Sequence, residues 1–128
     1  EKQSHIDFVK KLKPLQDKGV KVCVVPGNHD VNISTAVEFK GNKTFPVKGV
    51  SSQEFSEIYR NCGYKDALYR DDASLSYVTT LGNDTWLLSV DAARYKEYTK
   101  SRITAARILP ETESWIVDVL DWAQSKNI

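Results

Sequence analysis

The run Val24-Val25-Pro26-Gly27-Asn28-His29-Asp30 concentrates more chemistry than any other part of this 128-residue chain. An apolar segment ends at Pro26, and four residues of different character follow without a break. Gly27 lets the backbone turn close to a ligand with no Cβ in the way. Asn28 offers a neutral carbonyl oxygen, a hard donor suited to a divalent cation. His29 can exchange a proton near neutral pH, as a general acid or base. Asp30, directly beside it, is placed to orient the imidazole and stabilise its charge. The same residue types also make ordinary turns, so a strand-end turn with no further role is the plainer reading of the block.

Position strengthens the chemical reading. Val20 to Val25 is β-branched and apolar apart from Lys21 and Cys23, which predicts a short strand buried on both faces, as in a parallel sheet. In open α/β sheets, ligands bind just beyond the carboxyl ends of strands, where the block would lie. Upstream, Phe8, Leu12 and Leu15 fall at i, i+4 and i+7, predicting a helix from about Ser4, its N-cap, to Leu15. Pro14 falls in its last turns, and Gly19 follows as a stop. Helix, turn and buried strand make half of a βαβ unit.

Residues 31–72 read as a loop and helix excursion. Residues 31–50 show no period. Ser51 to Glu54 matches a capping box, opening a short helix through Phe55, Ile58 and Tyr59 that ends at Asn61-Cys62-Gly63. Leu75–Leu81 and Thr85–Val90 read as strands joined by the turn Gly82-Asn83-Asp84. The stretch from Asp91 to Arg107 is polar and undecided. Pro110 marks the start of a helix whose apolar face carries Trp115, Val119 and Trp122.

In this setting, Pro26-Gly27-Asn28-His29-Asp30 resembles the GNHD/E block of the calcineurin-like metallophosphoesterases. The strand ending at Asp91 (Leu87-Leu88-Ser89-Val90-Asp91) and the Trp-rich helix after Leu109 are similar to elements that follow the block in that family. The closest likeness is to a bacterial branch related to cyclic-nucleotide-type phosphodiesterases. The resemblance implies an α/β sandwich, a mixed sheet flanked by helices, with two divalent metal ions (Mn, Fe or Zn) held between sheets. It implies Asn28 as a metal ligand that also contacts phosphate, with Gly27 at the same phosphate-facing turn. It implies His29 as the group that protonates the leaving oxygen or stabilises the phosphoryl oxygens, and Asp30 as the residue that orients His29.

Other blocks of that family are missing. The chain has no Gly-Asp and no Gly-His dipeptide, and no histidine after His29. Both ends look like cuts between secondary elements, so residues 1–128 are expected to be the central fragment of a single metallophosphoesterase domain. The parent would hydrolyse phosphate mono- or diesters. The isolated chain is expected to hold no metal firmly and to be inactive, because one neutral amide cannot replace anionic and imidazole ligands. The alternative is a degenerate metallophosphoesterase-like domain that acts as a binding module.

Composition bounds the rest. Lys plus Arg is 18 and Asp plus Glu is 17, a net charge of +1, which gives no electrostatic case for nucleic acid. Lys10, Lys11, Lys13, Lys18 and Lys21 read as a solvated face. No apolar run approaches the ~20 residues a membrane span needs. Two cysteines and two histidines exclude a disulfide scaffold, a four-cysteine zinc site and any three-histidine site built from this chain alone. Cys23 is expected to be a small buried residue. Besides a phosphate-ester substrate, the partner expected is a second copy, through exposed sheet edges. Asp91 is expected to cap a helix or pair with Arg94, and His5 to be an ordinary residue near a helix start. Phe39, Phe45, Tyr59, Tyr64 and Tyr69 are expected to pack the excursion onto the body rather than line a substrate entrance.

Overall fold

A computed structural model describes all 128 residues. Helix α1 (Lys2–Asp17) leads to a hairpin, β1 (Val37–Lys40) and β2 (Lys43–Pro46). Helix α2 (Ser52–Ile58) and a π-turn (Arg60–Tyr64) come next, then a meander of β3 (Tyr69–Arg70), β4 (Tyr77–Thr80) and β5 (Trp86–Ser89). A 3₁₀ turn (Tyr95–Glu97) and helix α3 (Pro110–Ser125) complete the order. The architecture is α/β with two small antiparallel sheets, β1-β2 and β3-β4-β5.

The elements with strong local signals form where the sequence places them. Ser51 accepts from the Glu54 amide at 3.1 Å, and Glu54 accepts from the Ser51 amide at 3.0 Å, the reciprocal capping box. Pro110 opens α3, where its missing N–H is not needed. The Gly82-Asn83-Asp84 link joins β4 to β5 in the register Tyr77↔Ser89 to Thr80↔Trp86. Trp115 and Val119 of α3 bury against Val78 of β4, and Trp122 packs on Trp86 with ring centroids 4.5 Å apart.

Three expectations change. The first helix begins a turn early: the Ser4 amide already donates to the Glu1 carbonyl at 2.9 Å, so Ser4 lies inside the helix and Glu1 is its N-cap. Its inward face is also rotated. Val9 and Leu12 pack on the core, His5 is its buried residue, and Phe8 and Leu15 are nearly half exposed. In the excursion, residues 37–46 form a hairpin. Val37-Glu38-Phe39-Lys40 alternates apolar and polar residues, and Gly41 takes a positive φ of 61° at the first turn position, as a two-residue type II′ turn requires.

The third change bears on the site. Val20 to Val25 forms no strand. Between Lys21 and Pro26 one amide, that of Val24, is bonded within the chain, to the Cys62 carbonyl at 3.0 Å. No strand pairs with this run, and residue type alone cannot supply a ladder partner. Val22, Cys23 and Val24 pack half-buried on the main core, while Val20 is 50% and Val25 37% exposed. The run therefore lies against the body as a single unpaired connector instead of the centre of a parallel sheet.

The larger core gathers Val31, Val50, Phe55, Tyr64 and Tyr77 under α1 and α2. Tyr59 and Tyr64 are buried in it, as expected, but Phe39, Phe45 and Tyr69 are exposed. Tyr77 is its pivot. Fully buried, it packs at a tilt of 51° on Tyr64, ring centroids 4.6 Å apart, and its hydroxyl donates to the Val24 carbonyl at 2.9 Å, with the Cys62 carbonyl also in reach at 3.2 Å. That hydroxyl ties the connector, and so the block after it, to the meander.

Candidate functional site

The four residues after Pro26 form one tight turn. The Gly27 amide donates to Asp30 Oδ2 at 2.7 Å, and the Asp30 amide approaches the Gly27 carbonyl at 3.4 Å. A Cβ on Gly27 would lie 3.3 Å from that carboxylate oxygen. The missing Cβ thus makes room for Asp30 as well as for any ligand. The Asp30 carboxylate reaches back three residues to the backbone and closes the turn, and no hydrogen bond joins it to the His29 ring.

His29 is exposed and its ring makes no hydrogen bond within the chain, while Asn28 is half-buried with its carboxamide equally free. Only the Asn28 main chain is held: its carbonyl accepts from the Tyr98 hydroxyl at 3.0 Å. Two clefts flank the turn. One, of about 260 Å³, runs from Pro26, Gly27 and Asn28 to Ala92, Ile103 and Ala106. The other, of about 350 Å³, brings His29 and Asp30 together with Ser4, His5, Phe8 and Tyr59.

His5 is more than a helix-start residue. It is buried, with Nδ1 2.8 Å from the Tyr59 hydroxyl and its ring edge-on to Tyr59 and Phe55. Burial, and then the charge of Asp30, pushes the Tyr59 hydroxyl up to about 12. Tyr59 therefore stays protonated throughout the physiological range.

Behind the turn lies a polar network that the sequence does not signal. Asp91 is buried and accepts from the Leu75 amide at 3.0 Å, the Ala93 amide at 3.0 Å and the Tyr95 hydroxyl at 2.7 Å. It pairs with no cation, since Arg94 is bound to Glu97; the expected pairing with Arg94 is replaced by backbone and tyrosine donors. Burial raises the Asp91 carboxyl above the ordinary range, against the pull of those donors. Asp71 is also buried and would be raised by burial. However, the Ser74 hydroxyl at 2.6 Å, the Thr112 hydroxyl at 2.5 Å and the Ala73 amide at 2.9 Å bring it below the ordinary value. A further groove, of about 540 Å³, passes Asp71, Ser74, Arg70 and Lys96. Its buried carboxylate is already satisfied, which makes it a poorer candidate than the turn, where two functional side chains are uncommitted.

The residues present do not by themselves build a metal centre. No three His, Cys, Asp or Glu side chains converge anywhere in the chain, and the turn supplies one neutral oxygen donor, Asn28, beside one imidazole. No helix is long and apolar enough to cross a membrane. No protein-family model matches the chain, and no curated protein matches it.

Proposed function

We propose that this chain is the central part of a phosphohydrolase of the calcineurin-like type, acting on phosphate mono- or diesters, with the Gly27–Asp30 turn facing the reacting group. One observation carries the reading: the turn is held entirely through its main chain and Asp30, so the Asn28 carboxamide and the His29 imidazole are left without partners beside two clefts. In this reading, Asn28 offers its amide to a phosphoryl oxygen. As a water oxygen bonds to phosphorus and gives up a proton to solvent, the ester phosphorus–oxygen bond breaks and His29 gives a ring proton to the departing alkoxide, so the alcohol leaves neutral. Asp30 fixes the turn that presents both. The two divalent ions implied by the family likeness require ligands that residues 1–128 do not contain, and no step is derived through them.

The test is hydrolysis of chromogenic phosphodiesters and phosphomonoesters by the intact gene product supplied with Mn²⁺, alongside His29→Ala. Turnover that falls about 10²- to 10⁴-fold in the variant supports the assignment of the acid. A folded, Mn²⁺-supplied protein that turns over neither ester refutes the enzyme and leaves the turn as the loop of a binding module.

A further inference from the structure

We infer that Tyr98 is a positioning residue for the Gly27–Asp30 turn, setting the directions of Asn28 and His29 through the peptide plane between them. The catalytic consequence rests on the phosphohydrolase reading; the geometric claim does not.

The Tyr98 hydroxyl reaches across 70 positions of sequence to donate to the Asn28 carbonyl at 3.0 Å; the Ile103 carbonyl, at 3.4 Å, is the more distant acceptor. A carbonyl belongs to a rigid plane. Holding the C=O of Asn28 fixes the plane joining its Cα to the His29 nitrogen, and with it ψ of Asn28 and φ of His29. Those two angles aim the Cα–Cβ bonds of both residues. Asp30 closes the far end of the turn but leaves this plane free.

Tyr98 is itself anchored. It follows the Tyr95–Glu97 turn, whose Tyr95 carbonyl accepts from Asn32 Nδ2 at 3.3 Å, a second tether just beyond the block. The Tyr95 hydroxyl is fixed on buried Asp91, which also holds the Leu75 amide ahead of β4. Hydrogen bonds through Asp91 and Tyr95, and the short stretch of chain from Tyr95 to Tyr98, thus link the segment ahead of β4 to the turn. This is the supporting shell that a site on an irregular segment needs. Burial, together with Asp91 and Asp30 and against Arg102, raises the Tyr98 hydroxyl above its ordinary range, so it remains a donor at neutral pH.

Tyr98→Phe removes this donor and keeps the ring. In isotope-labelled protein, the Asn28 side-chain amide and the His29 ring C–H should each give one sharp NMR signal. Both should broaden or double in Tyr98→Phe, with the signals of α2 and β4 unmoved. Asn32→Ala, which cuts the second tether alone, should broaden the same signals less. In the turnover assay, Tyr98→Phe should lower kcat about 10- to 100-fold with KM within about twofold, as a misaimed proton donor would. In a His29→Ala background the loss should shrink to about twofold, because the proton donor being positioned is gone and only the aim of Asn28 is still disturbed. Unchanged Asn28 and His29 signals in both variants overturn the inference. So does an equal kcat loss in both backgrounds accompanied by a lower Tm, the mark of a merely structural contact. Broadened signals in a protein without phosphoesterase turnover sustain the positioning role and refute the proposed function.

Discussion

Gly63→Ala tests the packing that carries the site. Gly63 sits buried in the π-turn at φ 110°. An added Cβ would lie 2.5 Å from both Cε2 and Cζ of Tyr77 and closer still to its hydroxyl. The ring has nowhere to go: it is fully buried, it packs against Tyr64, and its hydroxyl is bonded to the Val24 carbonyl. The backbone conformation adds about 1–3 kcal/mol of strain for a residue with a Cβ. Overpacking adds about 1–3 kcal/mol more, so the central expectation is about 4 kcal/mol. At an unfolding entropy of about 2.1 cal/mol/K per residue, a chain of this length loses about 15 °C in Tm. Gly41→Ala is the control, because Gly41 has a positive φ of 61° but nothing within 4 Å of its virtual Cβ; it should lose only about 1–2 kcal/mol. Urea unfolding followed by circular dichroism measures both. Equal losses for the two variants, or a Gly63→Ala loss under about 1 kcal/mol, would refute the steric argument and with it the role of Tyr77 as pivot.

Asp91→Ala strands the Leu75 and Ala93 amides and the Tyr95 hydroxyl; at about 1–3 kcal/mol per buried unpaired donor, offset by removing a buried charge, urea titration should show a net loss of about 3 kcal/mol. Asp91 is raised in the fold relative to the unfolded chain, so its contribution is full below the ordinary aspartate range and is lost as pH rises through the folded value. Asp91→Asn should remove that fall from a stability–pH curve. Glu54 has the opposite sign: the Lys2 ammonium and then the Ser51 amide hold it down to about 2, so its contribution is present above the ordinary glutamate range and declines as pH falls toward 2. Ser51→Ala, which breaks the cap of α2, should lose about 1 kcal/mol in thermal unfolding. His29→Ala should unfold within about 0.5 kcal/mol of the parent, because the ring is exposed and unbonded.

The contrast between α2 and the Val20–Val25 connector shows what sequence can carry. A capping box is complete within four residues, so Ser51 and Glu54 announce their own partners. Pro110, the Trp115–Val119–Trp122 stripe and the Gly82-Asn83-Asp84 turn are local in the same sense, and each element forms. A strand needs a neighbour, and no property of Val20 to Val25 says whether one is present. The β1-β2 hairpin is hard to read from sequence for the converse reason: four-residue strands with exposed faces leave a weak apolar pattern, and Phe39 is 76% exposed. At the site, the identities of Gly27, Asn28, His29 and Asp30 were legible as chemistry. The partner of Asp30 was not, since a carboxylate can serve an imidazole or a main-chain amide with the same sequence. Tyr98 lies beyond any local rule, because its acceptor is 70 residues away and a carbonyl has no side-chain signature.

The holds on the turn share one property that bears on its chemistry. Tyr77 grips the Val24 carbonyl, Asp30 the Gly27 amide and Tyr98 the Asn28 carbonyl. All three act on main-chain groups, and none touches the side chain of Asn28 or His29. Main-chain anchoring lets position and reactivity be set by different residues. The stability of the turn resides in Asp30, Gly63, Tyr77, Asp91 and Tyr98, whose replacement disturbs main-chain hydrogen bonds or the packing behind them, while Asn28 and His29 carry little of it. A turn kept only as a structural connection would gain by using its own side chains to satisfy its amides, as Asp30 does. Leaving Asn28 half-buried and unbonded beside a cleft forgoes about 0.5–1.5 kcal/mol for each hydrogen bond not made. That small sacrifice of stability is intelligible when the carboxamide and the imidazole are reserved for a ligand.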